Sequence, residues 1–339
     1  MRDRNQSPPT YRAVMLTKAG GPDALQCVDL PIEQPGTGQL RVRVRAAGVG
    51  STDLLMFAGG YLYAPKIPFV PGYEIAGVVD AIGAGVTGFT VGQRVAALTV
   101  YGGYGELLVR EAEHFLPIPD DVSDVEAAAV ILNYVTAWQV IHRVAKVRSG
   151  QTALVTGAAG GVGTAALQLL RLAGVTTYGA ASAKKHGTVL KLGATPIDYR
   201  RAPIDRVMRS LEPQGVDHVF DAVGGANIGL CIGAARRGGM VVGYGFMGVA
   251  GKLATAAMFL NLYVGSRMRG RYGAFYGITR VYRKDPRPLR EDLPKIFRLV
   301  ADKKIDPLVA ITLPLLAARQ AIERLATGSV EGKIVLTSP

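Results

Sequence analysis

Cysteine is almost missing from this chain. Cys27 and Cys231 are the only two in 339 residues, some two hundred positions apart. That excludes a disulfide framework and a cysteine-rich metal site, and it fits a reducing cytoplasm. Histidine is sparse too, and His114, His142, His186 and His218 are scattered, which suits surface or packing residues better than ligands. No apolar run is long enough to span a bilayer: the most apolar stretch, Leu253 to Val264, is short and is broken by Asn261. The polar start Met1–Pro9 lacks the apolar core of a signal peptide and is the one place where disorder is expected. The most informative absence is of negative charge, since no Asp or Glu occurs from Ala158 to Ile197.

What is present is globular: 49% hydrophobic and 19% charged residues, with 43 glycines marking tight turns and close backbone approaches. The length exceeds one usual core and predicts two domains. The net charge is +13, and residues 267–304 hold twelve Lys/Arg against four Asp/Glu. Such a face attracts RNA, an anionic membrane or an acidic substrate. No nucleic-acid-binding motif accompanies it, so a solvated surface is the favoured reading.

From Tyr11 to about Val130 the pattern predicts an all-β unit, with strands at Arg12–Leu16, Gln39–Val49, Glu74–Ile82, Arg94–Leu98 and Glu106–Arg110. Beyond it, short strands at Ala153–Thr156, Thr176–Ala180, Thr195–Asp198, Val216–Asp221 and Met240–Gly245 alternate with helices. The helices fall at Val162–Ala173, Lys184–Leu192, Ile204–Leu211 and Ala226–Ala235. This alternation predicts βαβ units on a doubly wound parallel sheet, the α/β class. Leu293, Ile296, Phe297 and Val300 stand at helical spacing, and Lys333–Leu336 reads as a closing strand.

The strongest motif is Gly157-Ala158-Ala159-Gly160-Gly161-Val162-Gly163, placed where a strand ends and a helix begins. Glycines there let the chain turn sharply, let backbone approach a pyrophosphate and let the helix pack on the sheet. The helix N-terminus then offers N–H groups and positive potential to the anion. NAD sites carry a carboxylate at the end of the second strand, roughly 20 residues past the loop, for the ribose hydroxyls. Here that strand runs into Ser182-Ala183-Lys184-Lys185-His186. A hydroxyl and lysines without a carboxylate favour a 2′-phosphate, hence NADPH over NADH. Lys185 is the favoured phosphate contact and Lys184 the solvated start of a helix.

From Ala13 to Leu336 the chain resembles the medium-chain dehydrogenase/reductase superfamily. Within it the resemblance is to the quinone oxidoreductases that lack zinc, including the zeta-crystallin-like and vesicle-amine-transport-protein-like branches. The segment Asn133-Tyr134-Val135-Thr136-Ala137-Trp138, the loop Gly157–Gly163, the turn Asp221-Ala222-Val223-Gly224-Gly225 and the strand Gly332-Lys333-Ile334-Val335-Leu336 carry it. The resemblance implies a GroES-like substrate domain over 1–130, completed by 275–339, and a Rossmann NADP-binding domain over 131–274, with the active site in the cleft between. It also implies a homodimer through the cofactor domains. Besides Gly157, Ala158, Gly160, Gly161, Val162, Gly163, Ser182 and Lys185, it implies cofactor contacts at Thr136, Tyr199, Val223, Gly243, Tyr244 and Lys333.

Alcohol dehydrogenases similar to this chain carry zinc on a Cys in Gly-x-Cys-x-Thr-Asp and a His in Gly-His-Glu. This chain reads Gly48-Val49-Gly50-Ser51-Thr52-Asp53 and Gly72-Tyr73-Glu74, and it lacks the four-cysteine lobe near Val95–Tyr104. Catalytic zinc needs three protein ligands, so no metal site is expected. Hydride delivery to an electron-poor quinone or α,β-unsaturated carbonyl is the chemistry left. The candidate catalytic residues are Tyr61, Tyr73 and Asn133, neutral donors to a developing oxyanion, with Tyr63 and Tyr134 as further tyrosines near the cleft. Gly50 and Leu55 stand where similar bacterial quinone reductases carry Asn and Tyr, which points to a bulkier or more apolar acceptor. Arg267, Arg269 and Arg271, placed after an expected sixth strand, suit either surface charge or an acidic thioester. Two alternatives follow: an enoyl-thioester reductase, and an NADPH-binding protein with little catalysis that associates with RNA or membrane.

Overall fold

The computed structural model describes residues 9–246 and 251–338. The segment expected to be disordered therefore lies, apart from Pro9, outside the described residues. The chain forms two compact units, one reaching Leu132 and resuming at Val309, the other spanning Asn133–Leu308.

In the first unit β1 (Thr10–Leu16) pairs antiparallel with β2 (Leu25–Pro31) as a two-stranded sheet. A seven-stranded sheet joins β3 (Gln39–Val49), β4 (Glu74–Ile82), β5 (Arg94–Leu98), β6 (Leu107–Glu111) and β7 (Phe115–Pro117). Two late strands, whose numbering follows the chain as β14 (Val309–Pro314) and β15 (Lys333–Thr337), complete it. β3 is its spine, with Leu40, Val42 and Val44 buried at alternate positions and then Ala46, Ala47 and Val49 closing the core. The unit is not all β. Helix α1 (Ser51–Phe57) follows β3, and α2 (Asp124–Trp138) follows β7. Asp53 draws the chain into α1 by accepting the Gly50 amide at 2.9 Å.

The second unit is a parallel six-stranded sheet. Its strands are β8 (Thr152–Thr156), β9 (Thr176–Ala181), β10 (Thr195–Asp198), β11 (Val216–Asp221), β12 (Ala235–Gly243) and β13 (Tyr272–Phe275). Their spatial order is β10-β9-β8-β11-β12-β13, the dinucleotide-binding order 3-2-1-4-5-6, with the chain reversing direction across the sheet between β8 and β11. Helices α3 (Gly161–Leu172), α4 (His186–Lys191), α5 (Ile204–Leu211), α6 (Asn227–Ala234), α7 (Gly251–Leu260) and the short α8 (Ser266–Met268) cover it. Leu154, Val219 and Val241 from the strands pack on Ile228, Ile232, Met258 and Leu262. Arg267, Arg269 and Arg271 precede the sixth strand, β13, and do not follow it, because Met240–Gly245 belongs to the fifth.

Residues 275–308 stay with this second unit, so the share of the C-terminal segment in the first unit begins at Val309 and not at 275. The reason is a buried polar clamp. Asp292, on α10 (Arg287–Ala301) after α9 (Ile278–Lys284), receives Arg143 at 2.6 Å and Gln139 at 2.9 Å, and Tyr276 bonds Gln139 at 2.7 Å. Part of the basic run is thus consumed: Arg287 pairs with Asp285, and Lys295 lies 3.6 Å from Asp292. In the first unit α11 (Ala318–Ala326) connects β14 to β15.

Candidate active site

The glycine loop opens α3 directly after β8. Gly157 has φ +62°, a left-handed backbone that favours glycine. A Cβ on Gly163 would overlap the Gly157 carbonyl, so α3 sits too close to the loop for any side chain. Two of the loop's amides are spent within the fold: Ala158 N–H donates to Ala180 O at 3.2 Å, and Gly160 N–H to Gly157 O at 2.9 Å. Ala158 therefore shapes the loop and has no amide to offer a ligand. The donors left for an anion are those of the first turn of α3, at Gly161, Val162 and Gly163.

Asp221 holds this arrangement from below, a role that sequence reasoning missed. Its wholly buried carboxylate accepts Thr156 Oγ1 at 2.6 Å, Asn227 Nδ2 at 2.6 Å and the Gly224 amide at 2.7 Å. Thr156 Oγ1 in turn accepts the Ala222 amide at 3.0 Å. The ends of β8 and β11 are thereby tied together at the reversal point, with Val223 in the turn and its amide 3.3 Å from Asp221. The signal that could have found it is an acid closing an apolar strand before Gly-Gly. Gly243 ends β12, and the Tyr244 amide donates to Asp221 O at 2.8 Å.

At the end of β9, Ser182 starts a single 3-10 turn over Ala183–Lys185, and its hydroxyl does not cap that turn. No carboxylate stands there. The nearest acid along the chain, Asp198 at the end of β10, accepts the Arg200 amide at 3.0 Å. Tyr199 is half exposed, its ring 5.8 Å from the Arg200 guanidinium. On α2, Asn133 packs its amide against Gly161, where a Cβ would come within 2.5 Å. One turn on, Thr136 is buried and its hydroxyl has no hydrogen-bond partner, a vacancy that a ligand group suits.

The other predicted residues, Tyr61, Tyr73 and Lys333, belong to the first unit. Tyr61 and Tyr73 share a hydrogen bond at 2.6 Å, with Tyr63 edge-on to Tyr61 at 5.7 Å. Burial first, then the neighbouring Tyr61, Asp53 and Glu74, push the Tyr73 phenol well above its ordinary value, so it stays protonated at neutral pH. Lys333 is buried and paired with Glu74, whose other oxygen accepts the Leu132 amide at 2.5 Å. A Cβ on Gly48 would overlap that pair. A Cβ on Gly50 would lie 3.6 Å from Lys333 Nζ, so the ammonium stands beside the position where related dehydrogenases carry a thiolate. Burial raises Asp53 to about 6 against the pull of the Gly50 amide and Lys333. Among the described residues no group of three His, Cys, Asp or Glu gathers as a metal site.

Two family models match: the alcohol dehydrogenase GroES-like domain over 36–120 and zinc-binding dehydrogenase over 192–336. The human synaptic vesicle membrane protein VAT-1 homolog-like is 32% identical over 341 residues, covering 96% of this chain and 80% of that protein. A quinone oxidoreductase-like protein 2 homolog of Nematostella vectensis is 30% identical over 97% of this chain and 89% of that one. Among solved structures, mycobacterial Rv1454c complexed with NADPH superposes with a TM-score of 0.86 at 27% identity, covering 97% of this chain and 100% of that one. The chain is an oxidoreductase of the medium-chain dehydrogenase/reductase family. Within it, the chain belongs with the quinone oxidoreductase-like and VAT-1-like proteins.

Proposed function

We propose that this protein is an NADPH-dependent reductase that delivers hydride to a quinone or an α,β-unsaturated carbonyl without a metal. The observation that carries the reading is the end of β9, where Ser182 and Lys185 replace the ribose-binding carboxylate beside a glycine loop built for a pyrophosphate. The residues fit the cofactor: first-turn amides of α3 for the pyrophosphate, Ser182, Lys185 and Tyr199 for the 2′-phosphate, and the orphaned Thr136 hydroxyl as a further donor. Bound NADPH supplies the hydride.

The rest is asked of the chain's own side chains. The hydrogen-bonded Tyr61–Tyr73 pair offers phenol donors, and the Tyr73 phenol stays protonated, which suits an oxyanion that develops as the acceptor is reduced. Asn133 is a second neutral donor. Zinc has no place in this account, because Gly50 and Tyr73 supply neither thiolate nor imidazole, and the charge of Glu74 is already answered by Lys333. Conjugation in the acceptor does what a Lewis acid would do for a simple ketone.

A second copy of the chain is the partner we infer. Within the described residues β13 pairs only with β12, leaving one edge open, and Leu253, Leu260 and Met268 nearby in sequence are 88%, 64% and 83% exposed. An open edge flanked by apolar side chains is covered most economically by the same edge of a second molecule. Light scattering should return a dimer mass.

Steady-state oxidation of NADPH with 1,2-naphthoquinone, a 2-alkenal and crotonyl-coenzyme A tests the activity. Turnover with the first two supports the reading. A preference for the thioester would replace it with an enoyl-thioester reductase, and no turnover with any would leave a binding protein.

A further inference from the structure

The first unit holds a cavity of about 230 Å³ that the proposed chemistry does not use. Tyr11, Phe69, Tyr101, Glu33, Arg41 and Arg110 are among the residues that line it. Drug-sized ligands fill roughly 300–1,000 Å³, so this space suits a molecule of one ring. The cationic side chains differ in their commitments. Arg41 is paired with Asp80 at 2.6 Å, a carboxylate that it shares with Arg43 at 2.8 Å. Arg110 is half-buried and, among the described residues, bonds carbonyl oxygens, Val109 O at 3.0 Å and Tyr101 O at 3.1 Å, and no carboxylate. Its guanidinium lies 4.7 Å from the centre of the Tyr101 ring, and burial lowers its proton affinity. A guanidinium withdrawn from water without a counter-charge is costly, and such groups are ordinarily found paired.

The backbone around it is shaped for that placement. Val100, a β-branched residue, has φ +65°, a strained conformation that turns the chain into Tyr101. Gly102 has φ +97°, and a Cβ there would meet Arg110 Nη2 at 3.0 Å and Leu108 Cδ1 at 2.8 Å. The missing side chain at Gly102 clears the guanidinium's position. Phe69 stands edge-on to Tyr101 at 6.4 Å, giving an aromatic wall next to the cation. Burial first, and then the charge of Glu33, raises the Tyr11 phenol, while Arg110 lowers it.

We propose that this cavity binds a small arylcarboxylate, its carboxylate on Arg110, its ring against Tyr101 and Phe69, and a hydrogen-bond donor at its far end tolerated by Glu33. The planar guanidinium suits a carboxylate bidentately, and the aromatic wall suits a ring. Glu33 excludes a second carboxylate.

Calorimetric titration of the whole protein with 4-hydroxybenzoate, benzoate, terephthalate and benzylammonium tests the assignment. Saturable binding of one equivalent of 4-hydroxybenzoate and benzoate is expected, at least tenfold tighter than terephthalate or benzylammonium. Arg110→Met should weaken benzoate at least tenfold and leave NADPH affinity unchanged. Arg110→Lys keeps the charge, loses the planar fork and should fall between. Amide chemical shifts of the wild type on adding benzoate should move at Tyr11, Tyr101 and Arg110, which guards against a misfolded variant. Benzoate should not raise the KM for naphthoquinone. No saturation by the wild type, equal binding by Arg110→Met, equal binding of benzylammonium, or competition with naphthoquinone would each overturn the proposal.

Discussion

Replacing Gly160 by alanine separates what the glycine loop does for the fold from what it does for a ligand. Gly160 has φ −82° and ψ 176°, which any residue adopts, and the nearest atom to an added Cβ is Gly157 O at 3.3 Å. The variant should therefore fold with stability within about 1 kcal/mol of the parent. The ligand fares otherwise. A pyrophosphate oxygen bonded to the first-turn amides of α3 stands about 2.9 Å from nitrogen, whereas a methyl carbon needs about 3.5 Å to its neighbours. The methyl must push the phosphate off its donors, and losing even one charge-assisted hydrogen bond, worth roughly 1.5–3 kcal/mol, weakens binding by about 10- to 150-fold. Gly163→Ala is the contrast. Its Cβ overlaps backbone that cannot yield, so stability falls by about 1–3 kcal/mol and binding falls with it. Thermal unfolding alongside NADPH fluorescence titration reads both quantities. Unchanged NADPH affinity in a folded Gly160→Ala protein would refute the placement of the pyrophosphate.

Lys185→Glu should weaken NADPH on the order of 100-fold and NADH far less, because the change acts on a phosphate that only one of them carries. Equal losses, read by the same titration, would release Lys185 from that role. Tyr73→Phe and Tyr61→Phe should each lower kcat for naphthoquinone by roughly 10- to 100-fold while leaving NADPH affinity intact. Because the Tyr73 phenol is pushed up, no loss of rate from its ionisation should occur between pH 6 and 8. Lys333→Met strands the buried Glu74 carboxylate and should cost about 3–5 kcal/mol in a denaturant melt, most of it regained by adding Glu74→Leu. Asp53 carries a pH signature. Its folded value is about 6 against an ordinary 3.8, so the folded state holds the proton more tightly. Its contribution is then fully present below pH 3.8 and is lost as pH rises toward 6, a decline of about 3 kcal/mol. Asp53→Asn should flatten that part of the stability profile.

Much of this was legible in the residues. β3, β4, β5, β10, β11 and α5 fall where alternation and helical spacing put them, because their burial on one or both faces writes a periodic pattern. The glycine loop was legible because only a close helix–strand approach needs glycine at both Gly157 and Gly163. What escaped was set by tertiary partners. α1 is seven residues long and rests on a cap from Asp53, too short to show a period. β14 alternates half-buried and exposed positions with none fully buried, and β13 is four residues at a sheet edge. The allegiance of 275–308 depends on Gln139, Arg143 and Asp292 meeting across some 150 positions, which no local pattern records. At the site, the absent carboxylate was visible. The role of Asp221 was not, since the partner that ties β11 to β8, Thr156, lies 65 positions away in the chain.

The most direct test of hydride transfer without metal uses purified protein dialysed against a chelator, its zinc measured, and its NADPH–naphthoquinone turnover followed before and after. Zinc well below one per chain with undiminished turnover is the outcome this account predicts. Stoichiometric zinc, with activity that disappears on chelation and returns when zinc is restored, would contradict it.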